Sequence, residues 1–290
     1  MSQKRGQVII LGHSGFIGSH LERLLAGSGR PEVLGRSLPD IDLASASSAS
    51  QLAPHLNADS VLILLAAVKR QFGDSLDVFQ KNLTIVENVC RLLEDRPIRR
   101  VIFLSSAAVY GEETHNTWIN EHTHVNPTSY YGIAKYTAER LLQKICTASG
   151  RTSLVCLRPP LIYGSGDKGK TYGPSGFLSA ALEGVPITLW GDGTEKREFI
   201  YVEDLCRLIE ALIDSEFAGE LNVVSGNSYC FADIVAMLKL RFSNLQVNSR
   251  ARSKQKADNV FDAGKIKELL PPGFQFTSLE DGLSRILAGE

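Results

Sequence analysis

A doubly wound parallel α/β sheet, followed by a smaller mixed α/β region, is the architecture that this 290-residue sequence predicts. Three observations predict it. Short β-branched runs alternate with amphipathic stretches through the first half of the chain, the pattern of a sheet covered by helices on both faces. A glycine-rich turn joins the first run to the first helical stretch. Beyond Pro159-Pro160 the alternation gives way to a segment rich in Gly and Ser.

Taken in order, Gln7–Leu11 is a strand, and Leu21, Leu24 and Leu25 recur at helical spacing just after it. Further strands are expected at Glu32–Leu34, Val61–Ala67 and Val101–Ser105, with amphipathic segments at Ser50–His55, Asp77–Leu93 and Ser129–Cys146 between and after them. Another apolar run, Thr152–Leu157, ends at Arg158-Pro159-Pro160, where proline stops the ladder. Ser165–Gly176, with Lys168 and Lys170, reads as a mobile loop. The domain boundary is therefore placed at 164. Residues 1–164 form the first domain, parts of about 199–225 return to it, and residues 165–290 form a second region that binds substrate. Within that region Leu178–Leu182 and Phe231–Leu240 read as helices, and Ile187–Leu189 and Leu221–Val224 as strands.

Composition narrows the function classes. With 43% hydrophobic and 22% charged residues the chain has enough apolar mass for a sizeable core, so disordered and fibrous classes drop out. A formal net charge of −1 gives no global field to recruit nucleic acid or an anionic membrane surface. Five scattered cysteines, Cys90, Cys146, Cys156, Cys206 and Cys230, show no metal-ligand or paired spacing and read as reduced thiols. The apolar run Val61–Val68 is far shorter than the roughly 18 residues a membrane span needs, and the strand pattern starting at Gln7 leaves no room for a leader. A cytoplasmic location is expected. His122 and His124, beside Glu121, lack a third placed ligand, and no metal is expected.

Gly12, Gly15 and Gly18 stand between a strand and a helix, where each has its own steric task. Gly12 permits the turn, Gly15 lets backbone approach a pyrophosphate, and Gly18 packs helix on sheet, as in the Rossmann dinucleotide fold. The amides of Phe16 and Ile17 then face the anion at a helix N-terminus. The residue just past the second strand should choose the cofactor, and here it is Arg36 rather than an acid. A guanidinium suits a 2′-phosphate, which favours NADP over NAD; a solvated loop arginine is the plainer alternative.

Ser105-Ser106 closes a buried strand at its carboxyl end, where ligands of such sheets lie. Tyr131 and Lys135 are one helical turn apart. A phenol with a pKa near 10 works as an acid/base at neutral pH only when a cation stabilises its anion, and Lys135 is placed to do so. Ser106 would hold a carbonyl oxygen while Tyr131 transfers the proton. A helix carrying Tyr and Lys by chance is the alternative.

These segments together resemble the extended short-chain dehydrogenases/reductases that act on nucleotide sugars. The resemblance runs through Gly12-x-x-Gly15-Phe-Ile-Gly18, Ser105-Ser-Ala-Ala-Val-Tyr-Gly111, Asn126-Pro-Thr-Ser-Tyr-Tyr131-Gly-Ile-Ala-Lys135 and Leu157-Arg-Pro-Pro-Leu-Ile-Tyr-Gly164. It continues in Trp190-Gly-Asp-Gly-Thr-Glu-Lys-Arg197-Glu-Phe-Ile-Tyr-Val-Glu-Asp204 and Phe261-Asp-Ala-Gly-Lys265. By this resemblance Ser106, Tyr131 and Lys135 are the catalytic residues, Asp42-Leu43 the adenine-side pair, Leu65-Ala66-Ala67 the strand end along the cofactor, and Asn82 the family's central asparagine. Arg197 resembles the arginine that grips the diphosphate of the sugar nucleotide, and Arg252 its second clamp, although Arg250, Arg252, Lys254 and Lys256 also describe a solvated basic loop.

The resemblance also implies an active site in a cleft between the two domains, and a homodimer built on Asp77–Leu93 and Ser129–Cys146, whose apolar residues serve equally as core in the plainer alternative. Two departures limit it. Ala107-Ala108 stands where the 4,6-dehydratases of the family carry an acidic pair, so elimination of water lacks its acid and base; Leu161 stands where many sugar epimerases have asparagine. The expected activity is NADPH-dependent reduction of a keto group on a nucleotide-linked deoxysugar, with a 4-epimerase as the nearest rival and a catalytically silent NADP(H)-binding regulator as a third reading.

Overall fold

Four apolar runs fold as neighbouring parallel strands, because each is buried on both faces and needs no alternation. The computed structural model describes residues 6–30, 32–68, 73–168 and 172–289. In chain order it begins with β1 (Val8–Leu11), α1 (Phe16–Gly27), β2 (Val33–Arg36), α2 (Ala46–Ala49), β3 (Val61–Leu64) and α3 (Leu76–Asp95). Then come β4 (Arg100–Leu104), β5 (Asn116–Ile119), α4 (Tyr130–Ser149), β6 (Ser153–Arg158), β7 (Leu161–Tyr163), α5 (Pro174–Glu183), β8 (Ile187–Trp190) and β9 (Lys196–Tyr201). The chain continues with α6 (Val202–Ile213), β10 (Gly219–Asn222), β11 (Ser228–Cys230), α7 (Phe231–Lys239), β12 (Val247–Arg250), β13 (Asn259–Phe261), α8 (Gly264–Leu269) and α9 (Leu279–Ala288). Among the described residues no helix is long and apolar enough to cross a membrane.

The chain divides into two units. The first comprises the described residues up to Val109, Pro127–Arg158 and Cys206–Leu221. It is built on a six-stranded sheet in the order β10-β6-β4-β3-β1-β2, and the pairings β2–β1, β1–β3, β3–β4 and β4–β6 are all parallel. Ile9, Leu11, Leu64, Val101 and Phe103 lie in its core at 1% exposure or less. Fully burying a side chain of this size is worth roughly 1.5–3 kcal/mol, so these residues fix which way the sheet faces. Helices α3 and α4 begin on serine caps, Ser75 and Ser129, whose hydroxyls accept from the amides of Val78 and Gly132.

The second unit comprises Tyr110–Asn126, Pro159–Leu205 and the chain from Asn222 onward. It holds a three-stranded sheet, β11-β9-β7, and two parallel pairs, β12–β8 and β13–β5. Its core is aromatic: the rings of Tyr172, Phe177, Phe199 and Phe231 meet at centroid distances of 4.3 to 6.2 Å.

These boundaries depart from the expected break at 164. Residues 110–126 leave the first unit because β5 pairs with β13, and β7 leaves with 159–164 because it pairs with β9. The returning piece is Cys206–Leu221, which lies within the stretch of about 199–225 from which parts were expected to return. Three local expectations are also corrected. Ser50–His55 is a 3₁₀ helix containing Pro54, the loop reading of Ser165–Gly176 gives way to α5 from Pro174, and the strand expected at Leu221–Val224 is β10, which ends at Asn222. Lys170 lies outside the described residues.

Candidate active site

The glycine turn opens at the end of β1, where Gly12 takes φ +95 and donates its amide to the carbonyl of Arg36 at 2.8 Å. A Cβ there would stand 2.8 Å from the amide nitrogen of Ala66, so neighbouring strand ends come together only over glycine. Gly15 is the N-cap of α1, and Phe16 and Ile17 are its first residues, so their amides stand at the positive end of the helix dipole. Gly18 lies within α1, where a Cβ would stand 2.6 Å from His13 Cα. The backbone present therefore fits a dinucleotide pyrophosphate: an approach kept open by glycine and capped by a helix N-terminus.

Around this turn the structure gathers most of the expected cofactor contacts. Arg36 ends β2 directly beside Leu11, with its Nη1 on the carbonyl of Gly35 at 2.9 Å. Ser14 and Ser37 hydroxyls meet at 2.7 Å, one from the turn and one from the residue after Arg36. Asp42 uses one carboxylate oxygen to cap the amide of Ala44 at 2.9 Å, and the buried Leu43 accepts from the amide of the Asn88 side chain. Leu65, Ala66 and Ala67 follow the end of β3, and Leu65 still donates to Leu11. Buried Asn82 then pins the next residue like an added strand, accepting from the Val68 amide at 2.8 Å and donating to its carbonyl at 3.1 Å.

Tyr131 and Lys135 share one face of α4. Lys135 is 6% exposed; its Nζ donates to the carbonyl of Leu104 at 2.6 Å and lies 5.7 Å from the centre of the Tyr131 ring. Burial pulls its ammonium down to about 8, and the Glu139 carboxylate pulls the other way. Ser106 follows buried Ser105 and accepts from the amide of Ala108 at 3.1 Å. Gly132 makes the approach of α4 to this segment close: a Cβ would stand 2.7 Å from the Ala108 carbonyl and 3.0 Å from Pro127 Cβ. A hydroxyl, a phenol and a buried ammonium thus sit on one strand end and one helix, the groups a carbonyl reduction requires.

In the second unit Arg197 is on β9. It donates to the Glu195 carboxylate and to the carbonyls of Lys196, Ala257 and Glu112. Arg252 reaches the other oxygen of Glu195 and approaches Asp192 at 3.5 Å. The two arginines therefore converge on one carboxylate, while Arg250, Lys254 and Lys256 of the same stretch are exposed.

Sequence reasoning missed two charged groupings that contact these residues or their strands. One is Glu195. The other is the pair Glu139 and Arg158, at 1% and 3% exposure, joined by Nε–Oε1 at 2.9 Å and Nη2–Oε2 at 2.6 Å. Its signal was available as an arginine inside an otherwise apolar strand, which must find a buried partner.

Comparisons with known proteins show the family and the fold. The family model described as NAD dependent epimerase/dehydratase family matches residues 8–224. A protein of Bacillus subtilis named as an uncharacterised UDP-glucose epimerase is 25% identical, over 97% of each chain. The GDP-6-deoxy-D-talose 4-dehydrogenase of Aggregatibacter actinomycetemcomitans is 24% identical, over 94% of each. Among solved structures, MoeE5 in complex with UDP-glucuronic acid and NAD superimposes with a TM-score of 0.81 at 27% identity, covering 96% of this chain and 97% of that one.

Proposed function

Since the chain belongs to the NAD dependent epimerase/dehydratase family, we propose that it reduces a keto group of a nucleotide-linked deoxysugar with NADPH. The observation that carries this reading is the Lys135 ammonium, buried against both the Tyr131 ring and the end of β4. The bound cofactor supplies a hydride. Ser106 donates a hydrogen bond to the carbonyl oxygen as charge develops there, and Tyr131 hands that oxygen its proton. Lys135 stabilises the phenolate that remains, and the buried setting strengthens that attraction.

NADPH is favoured by Arg36, with the hydroxyls of Ser14 and Ser37 beside the same strand end. Removing one hydrogen bond to a charged group is worth roughly 1.5–3 kcal/mol, about a tenfold to hundredfold change in affinity. Fluorescence titration of Arg36→Ala is therefore expected to weaken NADPH by that order and leave NADH nearly unchanged. Equal losses for both cofactors would assign Arg36 to loop support alone.

Arg197 and Arg252 are assigned to the substrate diphosphate. Arg197→Ala is expected to raise KM for the nucleotide sugar about tenfold to hundredfold while leaving the NADPH dissociation constant intact. A thermal melt accompanies the assay, since Arg197 also holds three carbonyls. If a free keto sugar without its nucleotide is turned over equally well, a small carbonyl compound becomes the better substrate.

The deciding assay is NADPH oxidation with UDP- and GDP-linked 4-keto-6-deoxyhexoses. A 4-epimerase is the second reading, supported by the Bacillus subtilis relative that matches over nearly its whole length. Turnover of UDP-glucose without net cofactor consumption, by a cofactor that survives gel filtration, selects it.

A further inference from the structure

We propose that Glu139 is a positioning residue for this reaction, tying the helix that carries Tyr131 and Lys135 to the ends of the strands beneath it through Arg158 and Ser105. The inference rests on the acid/base reading of Tyr131 and Lys135. Residues 131, 135 and 139 recur every four positions, so they form one stripe along α4. Two consecutive turns of that stripe grip two consecutive residues of the chain leaving β4: Lys135 holds the Leu104 carbonyl, and Glu139 accepts from the Ser105 hydroxyl at 2.5 Å. Ser106 is the next residue. Arg158, at the end of neighbouring β6, closes the arrangement with a two-pronged grip on the same carboxylate.

Three donors from two strands thus converge on one helix carboxylate. Two bonds fix the orientation of the carboxylate plane, and the third fixes the residue that precedes Ser106. Stability alone is a poor reason for such a group. Charges removed from water lose hydration that their mutual attraction barely restores, and apolar residues of similar volume often serve as well. What apolar residues do not reproduce is direction. A hydrogen-bonded carboxylate selects one rotation and one height of α4 relative to the strand ends, to within the few tenths of an ångström that proton transfer demands.

The brace also sets the field at Lys135. From α4 the ammonium faces Glu139 and the Tyr131 ring; from β4 it meets the Phe103 ring at 4.9 Å and the Leu104 carbonyl. From β6 comes Arg158, bound to Glu139; the same carboxylate also acts on the buried Cys156 thiol of that strand, together with the charges of Glu220, Arg158 and Arg140. Glu139 is the anion that opposes the loss of charge that burial imposes on Lys135. A raised pKa keeps the ammonium charged to higher pH, so removing Glu139 moves the alkaline limb of activity downward.

The test is the double variant Glu139→Leu/Arg158→Met, which removes both charges together and strands neither. It is compared with Tyr131→Phe in NADPH oxidation, using whichever keto sugar nucleotide of the UDP- and GDP-linked set turns over fastest. The expected result is a native melting temperature, a fall in kcat of about thirtyfold or more with KM for both substrates within threefold, and an alkaline limb displaced to lower pH. Wild-type kcat and pH profile in a stably folded double variant overturn the proposal. Should that variant fail to fold, Ser105→Ala decides. It leaves the ion pair intact and is expected to lower kcat several-fold at unchanged melting temperature, whereas unchanged kcat overturns the proposal. Near-normal turnover in Tyr131→Phe instead removes the acid/base reading on which the proposal rests, so the two failures are separable.

Discussion

Tyr131→Phe is expected to keep its fold and its affinity for NADPH while losing turnover by a factor of about 10²–10⁴, the usual worth of a placed proton carrier. The substitution removes one oxygen and leaves the half-buried ring over the Lys135 ammonium, so packing is retained and only the proton path is cut. Ser106→Ala should cost about 10²–10³, because the oxyanion then develops without its donor. Both losses are read as kcat in NADPH oxidation, beside a cofactor titration. Rates within a few-fold of the parent protein in both variants would remove these residues from the chemistry.

Gly132→Ala is expected to lower kcat about a hundredfold without touching any reacting group. Its new methyl would meet the Ala108 carbonyl at 2.7 Å and Pro127 at 3.0 Å, both on the segment that flanks Ser106 or leads into α4. Overpacking of this kind costs roughly 1–3 kcal/mol and is relieved by moving one element away from the other. The methyl presses on the first turn of α4, whose Tyr131 and Gly132 amides are held by Asp74 and Ser129, so the displacement falls on the turn that carries Tyr131. A displacement on the order of 1 Å is enough for a hundredfold loss. The signature is a reduced kcat and a modestly lower melting temperature, with NADPH affinity held within a few-fold. Full kcat at full stability would show that the first turn of α4 tolerates a wider gap.

How much of this was legible from residues alone depended on how local each signal was. β1, β3, β4 and β6 announce themselves as apolar runs, because strands buried on both faces carry no polar alternation. The glycine turn and the Tyr131–Lys135 spacing are equally local, and the structure places them where the pattern implied. β5 is different. Asn116-Thr-Trp-Ile119 is a strand because Asn259–Phe261 lies beside it, and a partner about 140 positions away leaves no trace in four residues. The same distance effect moved residues 110–126 out of the first unit.

Helix α6 was legible and overlooked, since Leu205, Leu208, Ile209, Leu212 and Ile213 repeat at helical spacing and are all buried. Glu139 reads as one more solvated helix carboxylate until Arg158, on a separate strand, is known to be buried beside it. Glu195 was hidden for a similar reason. Its part emerges only when two arginines from distant stretches are seen to share it.

The three-piece make-up of the first unit bears on how the chain emerges from the ribosome. When synthesis has reached Arg158, five strands of the central sheet exist, but β10, the sixth, does not, and β6 presents an open row of amides and carbonyls. Arg100, on β4 and 4% exposed in the finished protein, is also still without the carbonyls of Leu212, Ser215 and Phe217 that receive its guanidinium. Those acceptors arrive only after Pro159–Leu205, which belongs to the other unit, has been made. Vectorial, N-terminus-first completion of the dinucleotide unit is therefore closed to this chain. A nascent polypeptide holds a buried-type cation and a raw sheet edge until Leu221 is clear of the exit tunnel, and a fragment ending at Arg158 is an unfinished sheet rather than a portable cofactor-binding module.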